Sequence, residues 1–167
     1  YVNNTGYVQR LGPLAVVLLN SNFGNLSPED AQKQQAWYEE TISGLEQDTS
    51  VGFVIVACHH PPYTNSTIVS PSQEAQESFV PPFLAASKCR LFVSGHCHAV
   101  EHFKNGGKDF LVIGGGGGLQ QPLLVGPERR WTDEFPVKTE LRMFHYMRCS
   151  ITAEEVRFTI RMLNDDF

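Results

Sequence analysis

The residues best suited to chemistry are Ser94-Gly95-His96-Cys97-His98, at the end of the apolar run Leu91-Phe92-Val93. A short β-branched and aromatic run that stops at Ser-Gly reads as a buried strand delivering two histidines to a strand end. Residues two apart in an extended chain point to the same side, so both imidazoles can converge on one point. Imidazole is the commonest neutral metal ligand, and Gly95 lets the backbone turn sharply just before the pair. Taken alone, His96 and His98 also fit a pair of surface histidines in a loop.

A second stretch favours the metal. Gly52-Phe53-Val54-Ile55-Val56-Ala57-Cys58 is another buried-strand run, and it ends in His59-His60-Pro61-Pro62. Two such strands would gather ligands at one edge of a sheet, where open α/β sheets place their sites. Four of the six histidines lie in these two clusters.

The elements that must position them follow the chain. Tyr7–Leu11 turns at Gly12-Pro13 into Leu14–Leu19, an apolar run suited to a strand covered on both faces, closed by Asn20-Ser21-Asn22. Ser27-Pro28-Glu29-Asp30 opens a helix with a cap, a first-turn proline and acids at the positive end of the dipole. Tyr38, Ile42 and Leu45 fall at i, i+4 and i+7, with Trp37 as core beside them, predicting a covering helix over Pro28–Gln47. Pro61 to Ser72 reads as a polar connection, in which Tyr63 and Asn65 are solvated or line a pocket. Ser72–Phe79 and Val80–Ala86 read as short helices before the strand that leads to His96. Strand, helix, strand, helix, strand in succession is the α/β pattern.

Beyond His98 a hairpin runs from His98–Phe103 through Asn105-Gly106-Gly107 into Asp109–Ile113. Gly114–Gly118 lack the spacing of a dinucleotide loop, and close backbone packing beside the site accounts for them better. Gln120–Lys138 has no periodicity and reads as a long surface loop. Met143–Cys149 and Val156–Met162 alternate apolar and polar around Thr152-Ala153-Glu154-Glu155, a terminal hairpin with one wet face.

The 167 residues are the size of one domain, read as a single unit over 1–167. A net charge of -5 without a basic cluster argues against a nucleic-acid surface, and no apolar run is long enough to span a membrane. Cys58, Cys89, Cys97 and Cys149 lack Cys-x-x-Cys spacing, so a buried apolar role suits each and the compartment stays open. Asn3, Asn25 and Asn65 each begin a glycosylation sequon.

With both histidine stretches placed, the sequence resembles the C-terminal half of a calcineurin-like metallophosphoesterase. That superfamily includes purple acid phosphatases, protein Ser/Thr phosphatases and cyclic-nucleotide phosphodiesterases. The resemblance rests on His59-His60-Pro61-Pro62 and Gly95-His96-Cys97-His98, each after its strand, about 35 residues apart and followed by Glu101. The first hairpin, its Leu18–Asn22 end and the helix with Gln35-Ala36-Trp37 also look like that region. It implies an α/β fold: the C-terminal half of a β-sandwich flanked by helices and ending in antiparallel hairpins. It implies a phosphatase acting on a phosphorylated small molecule or phosphoprotein through two transition metals (Fe, Mn or Zn). By position, His59 and His96 resemble ligands of one metal and His98 a ligand of the other. His60 falls where the family varies and is expected either to support the ligands from behind or to face substrate.

The family's Asp-x-His, Gly-Asp and Gly-Asn-His-Asp/Glu motifs do not occur in this sequence. They would precede Tyr1 and supply the bridging Asp, the Asn ligand and the catalytic His. The chain alone is therefore expected to bind metal weakly and to be inactive, with the missing half or self-association covering exposed sheet. A non-catalytic metal-binding or interaction protein derived from the fold is the alternative. Less favoured is a metallo-β-lactamase-like hydrolase, faintly echoed by His96-Cys97-His98-Ala99-Val100-Glu101-His102.

Overall fold

A computed structural model of the chain describes residues 6–152 and 154–163. The sequon at Asn3 and Ala153 of the last turn lie outside the described residues. Strands β1 (Gly6–Leu11), β2 (Leu14–Leu19), β3 (Phe53–Ala57), β4 (Cys89–Ser94), β5 (Val100–Asn105) and β6 (Lys108–Ile113) form one mixed sheet in the order β1-β2-β3-β4-β6-β5. β2, β3, β4 and β6 run parallel at its centre, while β1 and β5 pair antiparallel at its edges. The central strands are the continuous apolar runs of the sequence, as strands covered on both faces must be.

Helices α1 (Pro28–Gln47), α2 (Gln73–Ser78) and α3 (Val80–Ala85) belong to the core of one face. Helix α1 has the predicted bounds. The Ser27 side chain accepts from the Asp30 amide, and Tyr38, Ile42 and Leu45 are buried, with Gln34 beside them. The Gln34 amide donates to the Asn20 carbonyl and accepts from the Asn20 N–H, which satisfies a polar side chain under the helix. Tyr38 donates to the Phe79 carbonyl, joining α1 to the α2–α3 junction. Trp37 is partly buried and packs on the same core. Beneath α3, Phe83, Phe92 and Phe110 form a triangle with ring centroids 5.1–5.5 Å apart.

The other face of the sheet presents Leu14, Ile55, Leu91 and Leu111 to an antiparallel hairpin of β7 (His145–Ile151) and β8 (Val156–Met162). Between sheet and hairpin lies an apolar cavity of about 640 Å³. The expected half-wet hairpin is present, beginning two residues later than its apolar pattern suggested. Gly106 and Gly107, both left-handed, make the predicted turn from β5 to β6.

Two expectations for loops need correction. Asn65 is buried, not solvated, and Tyr63 packs its ring against Phe103, Phe110 and Trp131. The segment read as a free surface loop carries buried Leu123 and Phe135 and bridges to Ser66. Its order comes from Asn65, whose Oδ1 accepts from the Arg130 and Trp131 amides while Nδ2 donates to the Trp131 carbonyl. One amide side chain here replaces the partners that a strand would have supplied, a contact that periodicity cannot register.

Candidate metal centre

Parallel strands β3 and β4 end side by side, and their continuations are tied directly. The Cys58 amide donates to the Val93 carbonyl and the Gly95 amide to the His59 carbonyl, both near 3 Å. The two histidine motifs thus leave the sheet at one edge, as the strand ends implied.

The local conformation differs from the extended chain expected for His96–His98. β4 stops at Ser94, and two tight turns follow in which Cys97 N–H donates to Gly95 O and Ala99 N–H to Cys97 O. The sharp bend lies on His96, not on Gly95: His96 has φ +62° and is left-handed, alone in this among the described non-glycine residues. That conformation costs roughly 1–2 kcal/mol in an L-residue, and such strain collects at functional sites. It turns the His96 ring toward the β3 end.

There His59, His60 and His96 form a three-imidazole group whose nearest ring nitrogens lie within 4.8 Å of one another. His59 Nε2 and His96 Nδ1 face each other at 3.0 Å. This is hydrogen-bond spacing, and two nitrogens each about 2.1 Å from one cation and at right angles to it also sit about 3.0 Å apart, so the same spacing suits two ligands. Tetrahedral spacing is about 3.4 Å, so the widest pair needs a closure of at most about 1.4 Å. Burial lowers the pKa of both His59 and His96, and the neighbouring imidazoles lower it further, with His98 among them. Both therefore favour the neutral form that ligates metal. Imidazole donors suit transition metals better than Ca or Mg.

His98 stands outside that group, although near enough to act on His59 and His96. Its Nδ1 is 2.9 Å from the Leu119 carbonyl. A carbonyl only accepts, so Nδ1 is the donor and Nε2 is the nitrogen left to face a metal, a common support for a ligating histidine. His60 is held from behind by buried Ser21, whose Oγ lies 2.9 Å from its amide and 3.0 Å from its Nδ1. Asn20, Ser21 and Asn22 line a small cavity with His59 and His60. Ser21 was legible only as a strand end, since nothing in its sequence neighbourhood announces a histidine partner.

The glycine run explains itself sterically. A Cβ on Gly114 would lie 1.9 Å from the Cys97 carbonyl oxygen, and one on Gly118 would lie 2.4 Å from the His98 ring. Close packing beside the site, as expected, is what these glycines permit. His145 is a buried histidine elsewhere: its Nδ1–H donates to Met143 O and its Nε2 accepts from the Gly115 amide. His102 lines the cavity under the hairpin and pairs with Asp109 at 2.7 Å. It takes no part in the three-imidazole group.

The four cysteines are free. Burial pushes the thiols of Cys58 and Cys89 up to about 12 and that of Cys97 to about 11, so none of these three is a poised nucleophile, while Cys149 on β7 is exposed, against the buried role expected of it. Among the described residues no helix is long and apolar enough to cross a membrane.

No family model and no curated protein sequence matches the chain. Its fold is shared with GAP50, the anchor in the inner membrane complex of Plasmodium, at a TM-score of 0.73 and 14% identity over 94% of this chain. The chain spans about half the length of that structure, 49% of it. A candidate 5'-nucleotidase from Staphylococcus aureus overlays 83% of this chain and 29% of its own at 13% identity, with a TM-score of 0.41. At these identities the likeness is one of architecture: a mixed α/β sheet with helices and a terminal antiparallel hairpin.

Proposed function

We propose that this chain carries the histidine ligands of a metal-dependent phosphoesterase. The observation that supports the reading best is the convergence of His59, His60 and His96 at adjoining strand ends. In this reading His59 and His96 bind one metal and His98 offers Nε2 to a second. His60, fixed by Ser21, faces the phosphate of a phosphorylated small molecule or phosphoprotein. When bound, the metals (Fe, Mn or Zn) supply Lewis acidity and an acidified water. The chain's own part is to hold neutral imidazoles at fixed spacing and to orient them from behind through Ser21 and the Leu119 carbonyl.

The gathered group holds imidazoles and no carboxylate. A two-metal centre needs acidic ligands as well, so in this reading they come from polypeptide outside this group, and the isolated chain is inactive. The same observation favours a second reading, a metal-binding scaffold without catalysis. Metal analysis and p-nitrophenyl phosphate hydrolysis by the natural polypeptide separate the two. Stoichiometric metal with turnover that His96→Ala abolishes supports the phosphoesterase, and metal without turnover supports the scaffold. Loss of neither metal nor turnover in His96→Ala would overturn both.

A further inference from the structure

We propose that Glu101 is a positioning residue whose carboxyl latches the loop after His59-His60 to the strand after His96-Cys97-His98. The proposal rests on the metal-binding reading above. Glu101 is fully buried at the start of β5. Its Oε2 lies 2.5 Å from Thr64 Oγ1, and its Oε1 accepts from the Asn65 amide at 2.8 Å.

The connectivity makes this contact a closure. Thr64 follows His60 by way of Pro61, Pro62 and Tyr63; the fixed φ angles of the prolines and the packed Tyr63 ring carry a restraint at Thr64 back to the imidazoles. Glu101 follows His98 by only Ala99 and Val100, both buried. At one end the two histidine segments are joined by Gly95 N–H to His59 O, and at the other by Glu101 to Thr64 and Asn65. A second path reinforces the first: Ser66 donates its amide to Thr64 Oγ1 and its hydroxyl to Gln121 Oε1, which also accepts from the His98 amide.

A buried carboxyl is costly, and a residue that only filled space would be better apolar. Burial raises the Glu101 pKa to about 7, with Asp133 raising it too and Thr64, Asn65 and Arg142 opposing. A carboxyl maintained in that setting, with each oxygen satisfied by the same loop, serves the placement of that loop. It ties together the two histidine segments at the edge where His59, His60 and His96 gather.

The test compares Glu101→Ala, Glu101→Gln and Thr64→Val, reading Co²⁺ affinity from visible absorption and the exchange of the Asn65 amide with no metal added. Glu101→Ala and Thr64→Val should weaken Co²⁺ by roughly ten- to a hundred-fold, the usual loss when support behind a ligand is removed. Asn65 exchange should accelerate more than about ten-fold in Glu101→Ala. Glu101→Gln keeps both bonding positions and should restore both readouts. Should Glu101→Ala fail to fold, Thr64→Val carries the affinity measurement alone. Wild-type Co²⁺ affinity in Thr64→Val or Glu101→Ala, or failure of Glu101→Gln to rescue, overturns the latch. If the wild type binds no Co²⁺, the metal reading falls by itself, and unchanged Asn65 exchange in Glu101→Ala would then overturn the latch separately.

Discussion

A single methyl group at Gly114 tests whether the glycine run is there to admit the Cys97 turn. The Cβ of Gly114→Ala would stand 1.9 Å from the Cys97 carbonyl oxygen and 2.8 Å from its carbon, while real Cβ contacts stay beyond 3.0 Å. The oxygen must therefore retreat by at least about 1.1 Å, the difference between 3.0 and 1.9 Å. It is backbone and cannot rotate away. That oxygen accepts the Ala99 amide, and the Cys97 amide donates to Gly95 O, so the retreat strains both tight turns around His96 and His98. Overpacking costs about 1–3 kcal/mol and a weakened buried hydrogen bond about 1 kcal/mol more. The total of roughly 2–4 kcal/mol lowers the melting temperature by roughly 4–16 °C in a domain of this size. Gly116→Ala is the control, since its Cβ meets nothing within 4 Å. Thermal unfolding by circular dichroism and Co²⁺ titration read the two variants. A Gly114→Ala protein that melts with Gly116→Ala and binds Co²⁺ equally would refute the steric account of the run.

Four further outcomes follow from the buried polar groups. Glu101 is protonated more readily folded than unfolded, so its contribution to stability is full below about pH 4.5 and is lost as pH rises toward 7; urea midpoints of Glu101→Gln should lack this decline, worth at most about 3 kcal/mol. Asn65→Ala should destabilise by roughly 2–5 kcal/mol, because it strands the Arg130 and Trp131 amides. The same burial should leave Asn65 unglycosylated in folded protein while exposed Asn25 stays accessible, which peptide mapping after exposure to a glycosyltransferase checks. Arg142 pairs with Asp133 at 2.5 Å with both side chains buried, so Arg142→Met should cost about 3–5 kcal/mol by leaving the carboxylate unpaired, as chemical denaturation would show.

The sequence by itself determined the elements and the edge at which chemistry is possible. Ser27-Pro28 and the Tyr38, Ile42, Leu45 stripe fixed α1 to its end residues, since capping and helical period are local properties. Apolar runs ending in His59-His60 and Ser94-Gly95-His96 specified strands, and strands that lie parallel and adjacent must deliver their ends to one place. Only the tertiary structure decided which imidazoles meet. The left-handed turn at His96 is enforced by hydrogen bonds to the β3 extension and by Gly114 pressed against Cys97, contacts that span the chain. It gathers His60 with His59 and His96 and turns His98 toward Leu119, where the alternation of an extended chain would have paired His96 with His98. The hydrogen-bonding roles of Ser21, Glu101 and Asn65 were unreadable for the same reason. Each acts through a partner distant in sequence, and a hydrogen bond between remote segments leaves no period, cap or spacing to read.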